Sequence, residues 1–235
     1  MRLKLSFAFL ALFLGFTSFA QVVRYASMSE FSGWPRVVLF DDDSERSREI
    51  YQSMDELASK ARGVSFMVIQ YDTMSDQDKQ RAETMWVEGP ASIYVAWDYL
   101  DEGFVLRHDF DLTYLKPLVK DLEKMDEAVR LYRDQEYRSA RKKFVKIFES
   151  ENVFIPEAGL YAGWCYANER QYDAAANFFI EAGRYGVAEA LYQAGYFYEC
   201  GLTSAGIQME MALIYYHKAA RLGHENAIKR LSALE

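Results

Sequence analysis

His217-Lys218-Ala219-Ala220-Arg221-Leu222-Gly223-His224-Glu225-Asn226-Ala227 reads as the end of one helix, a turn and the start of the next. Gly223 falls where a helix ends, the position glycine favours. When the chain is displaced by 37 positions, the same order returns. Ala175 meets Ala212, Phe178-Phe179 meets Tyr215-Tyr216, Ala182 meets Ala219, Arg184 meets Arg221, Gly186 meets Gly223 and Ala190 meets Ala227. Shared helical propensity does not align so many residues in one register. A fixed period of this length marks a repeat architecture. Small Ala residues let two helices approach closely, and aromatic residues a turn away fill the gap beside them.

The pattern extends towards the N-terminus. Tyr137, Ala140 and Phe144 follow Leu131-Tyr132, and Gly163 and Tyr166 lead to Tyr172, Ala175, Phe179 and Ala182. The segment from Ala190 to Gly201 opens the last repeat, and a loop over about Leu202 to Ile207 separates its two helices. The reading is three helix pairs and a short capping helix, about the minimum for a stable stack.

The Ala-Ala-x-x-Gly-His-x-x-Ala ending resembles the Sel-like repeat family, a relative of the tetratricopeptide repeats (TPR) that the two earlier units resemble. The resemblance covers about Asp126 to Leu234, and the expected helical-repeat domain is 126–235. It implies an all-α solenoid whose concave face, formed by the first helix of each pair, contacts a protein or peptide. Carried over position by position, that face holds Val129, Tyr132, Leu160, Trp164, Tyr192, Tyr196 and Glu199. Large aromatics supply much of the energy of interfaces, so Trp164, Tyr192 and Tyr196 lead these candidates.

Upstream the periodicity changes. Arg36-Val37-Val38-Leu39-Phe40, Val64 to Tyr71, Ile93 to Trp97 and Phe104 to His108 read as strands rich in β-formers. Helices are expected after Asp43-Ser44, after Ser75-Asp76 and over about Leu112 to Leu122. The order β-α-β-α-β-β-α resembles the thioredoxin fold over 22–122, and Gly89-Pro90-Ala91-Ser92-Ile93-Tyr94-Val95 is the most telling local match. The resemblance implies a cis peptide before Pro90.

One departure decides the chemistry. Redox members of that family carry Cys-x-x-Cys between the first core strand and its helix, where the helix end favours the thiolate. Here the segment is Asp41-Asp42-Asp43-Ser44-Glu45-Arg46-Ser47. Ser44 and Ser47 keep the spacing, but hydroxyls cannot form a disulfide. Three adjacent Asp at a strand end point to different sides, and no glycine-containing loop with a distal Glu follows. They read as a capping turn and not as a metal site.

The composition suits this picture. Hydrophobic residues make up 51% of 235, enough for a substantial core, and the formal charge is −8. Nothing in the pattern favours nucleic acid, which attracts clustered Lys and Arg. Arg2, Lys4, the apolar run Leu5 to Phe16 and the exit Ser18-Phe19-Ala20 have the layout of a secretory leader, so a cleavable signal peptide is expected over 1–20. The expected destination is the periplasm or the exterior. No later stretch is long and apolar enough to span a bilayer.

Cys165 and Cys200 lie 35 positions apart, close to one repeat length, which leaves open a disulfide or two buried thiols. His108, His217 and His224 have no metal-ligand spacing, and no nucleophile elbow or phosphate-binding glycine loop occurs. The expectation is an exported, non-catalytic binding module or scaffold without cofactor or metal, its oligomeric state open. Two alternatives stand beside it. One is a thioredoxin-descended redox-linked chaperone or enzyme without the usual cysteine pair. The other is an envelope protein whose halves only stabilise each other.

Overall fold

The computed structural model describes residues 21–87, 89–97, 103–150 and 155–234. The expected leader lies outside them. The chain forms two compact units, one running to Val119 and the other from Lys120.

The first unit is built on a five-stranded mixed sheet. Its strands are β1 (Val22–Tyr25), β2 (Arg36–Asp41), β3 (Ser65–Gln70), β4 (Ser92–Ala96) and β5 (Gly103–Leu106). Their order across the sheet is β1-β3-β2-β4-β5. β3 runs parallel to β1 and β2, while β4 is antiparallel to both β2 and β5. The apolar run Val37-Val38-Leu39-Phe40 becomes central and fully buried, as a strand covered on both faces requires. Each such side chain contributes about 1.5–3 kcal/mol of hydrophobic stabilisation. Val38 and Phe40 join Met67, Ile69 and Tyr94 in one core. Helix α1 (Glu45–Ala58) packs on β2 and buries Ile50, Met54 and Ala58. Helix α2 (Asp76–Thr84) opens at Ser75, whose hydroxyl accepts from the Asp78 amide.

Two features differ from the sequence reading. β1 is an additional strand at a sheet edge: Val22-Val23-Arg24-Tyr25 shows neither an alternating nor a continuous apolar pattern. The helix expected to end near Leu122 instead runs unbroken as α3 (Leu115–Arg133). No Gly or Pro follows Pro117 in this helix, and Pro117 lies in its first turn, where a missing N–H costs nothing.

The second unit is all-helical. After α3 come α4 (Tyr137–Phe148), α5 (Glu157–Asn168), α6 (Tyr172–Arg184), α7 (Ala188–Glu199), α8 (Met209–Arg221) and α9 (Glu225–Leu234). Each helix from α4 onward packs on the next. The small-against-aromatic pattern is literal. A Cβ on Gly163 would stand 2.4 Å from the Phe179 ring, and one on Gly195 would stand 2.7 Å from the Tyr216 ring.

The turns repeat too. Gln135, Arg170, Gly186, Gly201 and Gly223 all have φ between 60° and 93°. Each is followed by an amide that reaches back five residues. Glu136 bonds Leu131, Gln171 bonds Tyr166, Val187 bonds Ala182, Leu202 bonds Phe197 and His224 bonds Ala219, at 2.9–3.4 Å. This is the Schellman closure of a helix end. No helix among the described residues is long and apolar enough to cross a membrane.

Candidate functional site

In the first unit a cavity of about 480 Å³ opens where β2 hands over to α1, lined by Asp42, Ser44, Arg46, Trp86, Pro90 and His108 among others. Ser44 caps α1, its Oγ accepting from the Ser47 amide at 3.1 Å. Asp42 accepts from the Ser44 amide at 3.1 Å and from the Ser47 hydroxyl at 2.6 Å. Burial opposes ionisation of Asp42, but these hydrogen bonds outweigh it and hold its carboxyl below the usual carboxylate range. Asp41 is buried and meets Arg24 at 3.0 Å, while Asp43 accepts from Gln70 at 3.1 Å. The acidic run is thus engaged in capping and cross-strand contacts. Among the described residues no cluster of His, Cys, Asp or Glu could hold a metal ion. Arg46 spans the cavity edge, donating from Nε to the His108 carbonyl at 2.7 Å and from Nη2 to that of Phe110.

The expectation of a cis peptide at Pro90 is corrected. The bond before Pro90 is not cis; the cis bond among the described residues is Trp34–Pro35. The chain enters β4 by another route. Ala91 takes the left-handed conformation (φ 54°) and its amide bonds the Phe40 carbonyl at 2.8 Å. Trp86 was not singled out in the sequence. It is 79% exposed and left-handed (φ 63°), and the following amide of Val87 closes α2 onto Ala82.

In the second unit the candidates separate into two groups. Tyr132 from α3 lies edge-on to Tyr161 of α5 at 5.7 Å and 6.5 Å from Trp164. Tyr161 and Trp164 meet edge to face at 5.2 Å, and Tyr161 stacks on Phe144 at 5.0 Å. Tyr132, Tyr161 and Trp164 are each only partly buried. Desolvation raises the Tyr132 pKa, so its hydroxyl stays protonated. Tyr161 was missed, although it stands three residues before Trp164 on the same helix, the spacing that puts side chains on one face.

The other group lies on α7. Tyr192 stacks on His224 at 4.8 Å and lies 5.6 Å from Tyr216. His224 accepts from the Ala227 amide through Nδ1 and meets Glu189 through Nε2 at 2.7 Å, so it joins α9 to α7. Tyr216 donates to Glu199 at 2.6 Å, and Arg230 also bonds Glu199. The structure therefore spends Glu199 on holding α8 and α9. Tyr196 is 44% exposed, and hydrogen bonding to the Cys200 thiol raises its pKa.

Leu160 offers little surface: it is 5% exposed, because α5 is buried along the side carrying Ala158, Leu160, Ala162 and Cys165. The two cysteines are free thiols. Cys165 is enclosed in α5, whereas Cys200 sits exposed at the end of α7. Burial pushes the Cys165 thiol up to about 12, which makes it inert as a nucleophile. No protein-family model matches the chain, and no curated protein matches it.

Proposed function

We propose that the chain is an exported, non-catalytic binding protein that holds a protein or peptide through the first helices of its helical repeats. The observation that carries this reading is the partly exposed cluster of Tyr132, Tyr161 and Trp164. Three partly exposed aromatic side chains are brought together from two helices, the composition of an interface hot spot. Tyr196 adds a separate exposed aromatic side chain on α7.

On this reading the second unit is a TPR/Sel-like array. The recurrent Schellman turns and glycine–aromatic contacts support it. The first unit is thioredoxin-like without redox chemistry. The strand order β1-β3-β2-β4-β5, with an antiparallel β4, supports that. Ser44 and Ser47, both hydrogen-bonded to Asp42, stand where thiols would be needed. Export to the periplasm or exterior rests on the leader-like residues 1–20.

Affinity capture from an envelope extract tests the proposal. Wild type is compared with a Tyr161→Ala, Trp164→Ala variant whose circular dichroism spectrum is unchanged. The partner is expected to be lost, because truncating one hot-spot aromatic costs about 2 kcal/mol or more. Retention of the partner by the variant would refute the repeat-face reading. The cavity beside Trp86 favours a second reading, a thiol-independent chaperone site on the first unit. Selective loss of binding in Trp86→Ala would support it.

A further inference from the structure

Away from that cluster, the end of α4 and the outer part of α6 enclose a second cavity, of about 410 Å³. Its apolar lining is Phe148, Phe178 and Tyr185, and its polar lining includes Glu149 and Glu181. The rings form a set: Phe148 lies 6.1 Å from Phe178 and meets Tyr185 edge-on at 5.7 Å. Phe178 in turn stacks on Tyr166 at 5.1 Å, and the Arg141 guanidinium sits 4.4 Å from the Tyr166 ring centre. The row of rings thus already carries a cation at one end. At the other end it opens into a cavity whose described lining holds two carboxylates and no basic residue.

Glu149 is exposed and forms no ion pair among the described residues. Glu181 meets Arg184 at 2.9 Å, but both side chains are largely in water, so a competing cation displaces that contact at little cost. Aromatic faces attract cations through their quadrupole, and flanking carboxylates add direct charge attraction. The cavity is shallow, since Tyr185 remains 55% exposed. A free small molecule is usually enclosed far more completely. A side chain anchored on a polypeptide needs only its tip covered.

We propose that this cavity takes a lysine or arginine side chain presented by a polypeptide partner. The site uses the second helices of the repeats, so it stands independently of the Tyr161–Trp164 face.

The test is an NMR titration of the purified chain with acetyl-Gly-Gly-Lys-Gly-Gly-amide, its arginine analogue, its norleucine analogue and free cadaverine. The lysine and arginine peptides are expected to give saturable shifts centred on Phe178 and Tyr185. The norleucine peptide is expected to bind about tenfold more weakly, and added salt to weaken the charged peptides. Glu149→Gln, alone and with Glu181→Gln, is expected to lower affinity severalfold. These are surface changes, and circular dichroism verifies that each variant is folded. Equal binding of the norleucine peptide, or unchanged affinity in the Gln variants, would overturn the role of charge. Cadaverine binding as tightly as the lysine peptide would overturn the polypeptide source. Absence of saturable shifts at Phe178 and Tyr185 would overturn the site.

Discussion

Cys165 and Cys200 share a residue type and little else. Cys165 is fully buried, with its thiol pushed up to about 12, while Cys200 is exposed. A thiol reagent at neutral pH is therefore expected to modify one equivalent, at Cys200, and to reach Cys165 only on unfolding. Peptide mapping checks this; rapid labelling of Cys165 in the folded chain would contradict it. Trp86 presents the opposite problem, a large ring left in water on a left-handed backbone. The left-handed conformation costs a non-glycine residue roughly 1–2 kcal/mol. Trp86→Gly is thus expected to raise the melting temperature slightly. A clear fall would mean that the ring packs more usefully than its exposure indicates. Neither property was legible in the chain: burial of a thiol and the handedness of one residue depend on what folds around them.

The helical elements were the most legible part, because their signal recurs. The Ala, Gly and aromatic positions that align across 37 residues become the contacts and turns between helices. Gly186 and Gly163 separate the two roles of glycine. Nothing lies within 4 Å of a Cβ on Gly186, but its φ is +93°. Gly186→Ala is expected to cost about 1 kcal/mol through backbone strain alone. At Gly163 the added methyl would meet the buried Phe179 ring, and overpacking of that kind costs about 1–3 kcal/mol. Urea denaturation of both variants checks the order; a neutral Gly163→Ala would contradict the packing account. The strand elements were legible where they are central and apolar, as in Val37 to Phe40. The edge strand β1 was not, because Val22-Val23-Arg24-Tyr25 does not alternate, whereas the equally short edge strand β5 carries the apolar run Phe104-Val105-Leu106. Within the candidate face, the repeat resemblance pointed to Trp164, which the structure sets beside Tyr132 and Tyr161. It could not tell that Leu160 turns into the core or that Arg230, 31 residues away, claims Glu199.

At the scale of the whole molecule, the formal charge of −8 agrees with a basic partner surface, and two features of the second unit can use it. One is the aromatic cluster of Tyr132, Tyr161 and Trp164; the other is the acid-rimmed cavity beside Tyr185. The first unit adds a cavity beside Trp86, lined by hydroxyls and charges rather than thiols. The central claim is that partner contact belongs to the repeat face. Site-specific photo-crosslinking in intact cells tests it most directly. A photoreactive residue is placed at Asn168, which is exposed one turn beyond Trp164 on α5, or at Trp86. The account predicts a discrete adduct from position 168, lost when Tyr161 and Trp164 are also replaced by Ala, and none from position 86. An adduct from position 86 with none from 168 would contradict it and transfer the binding role to the first unit.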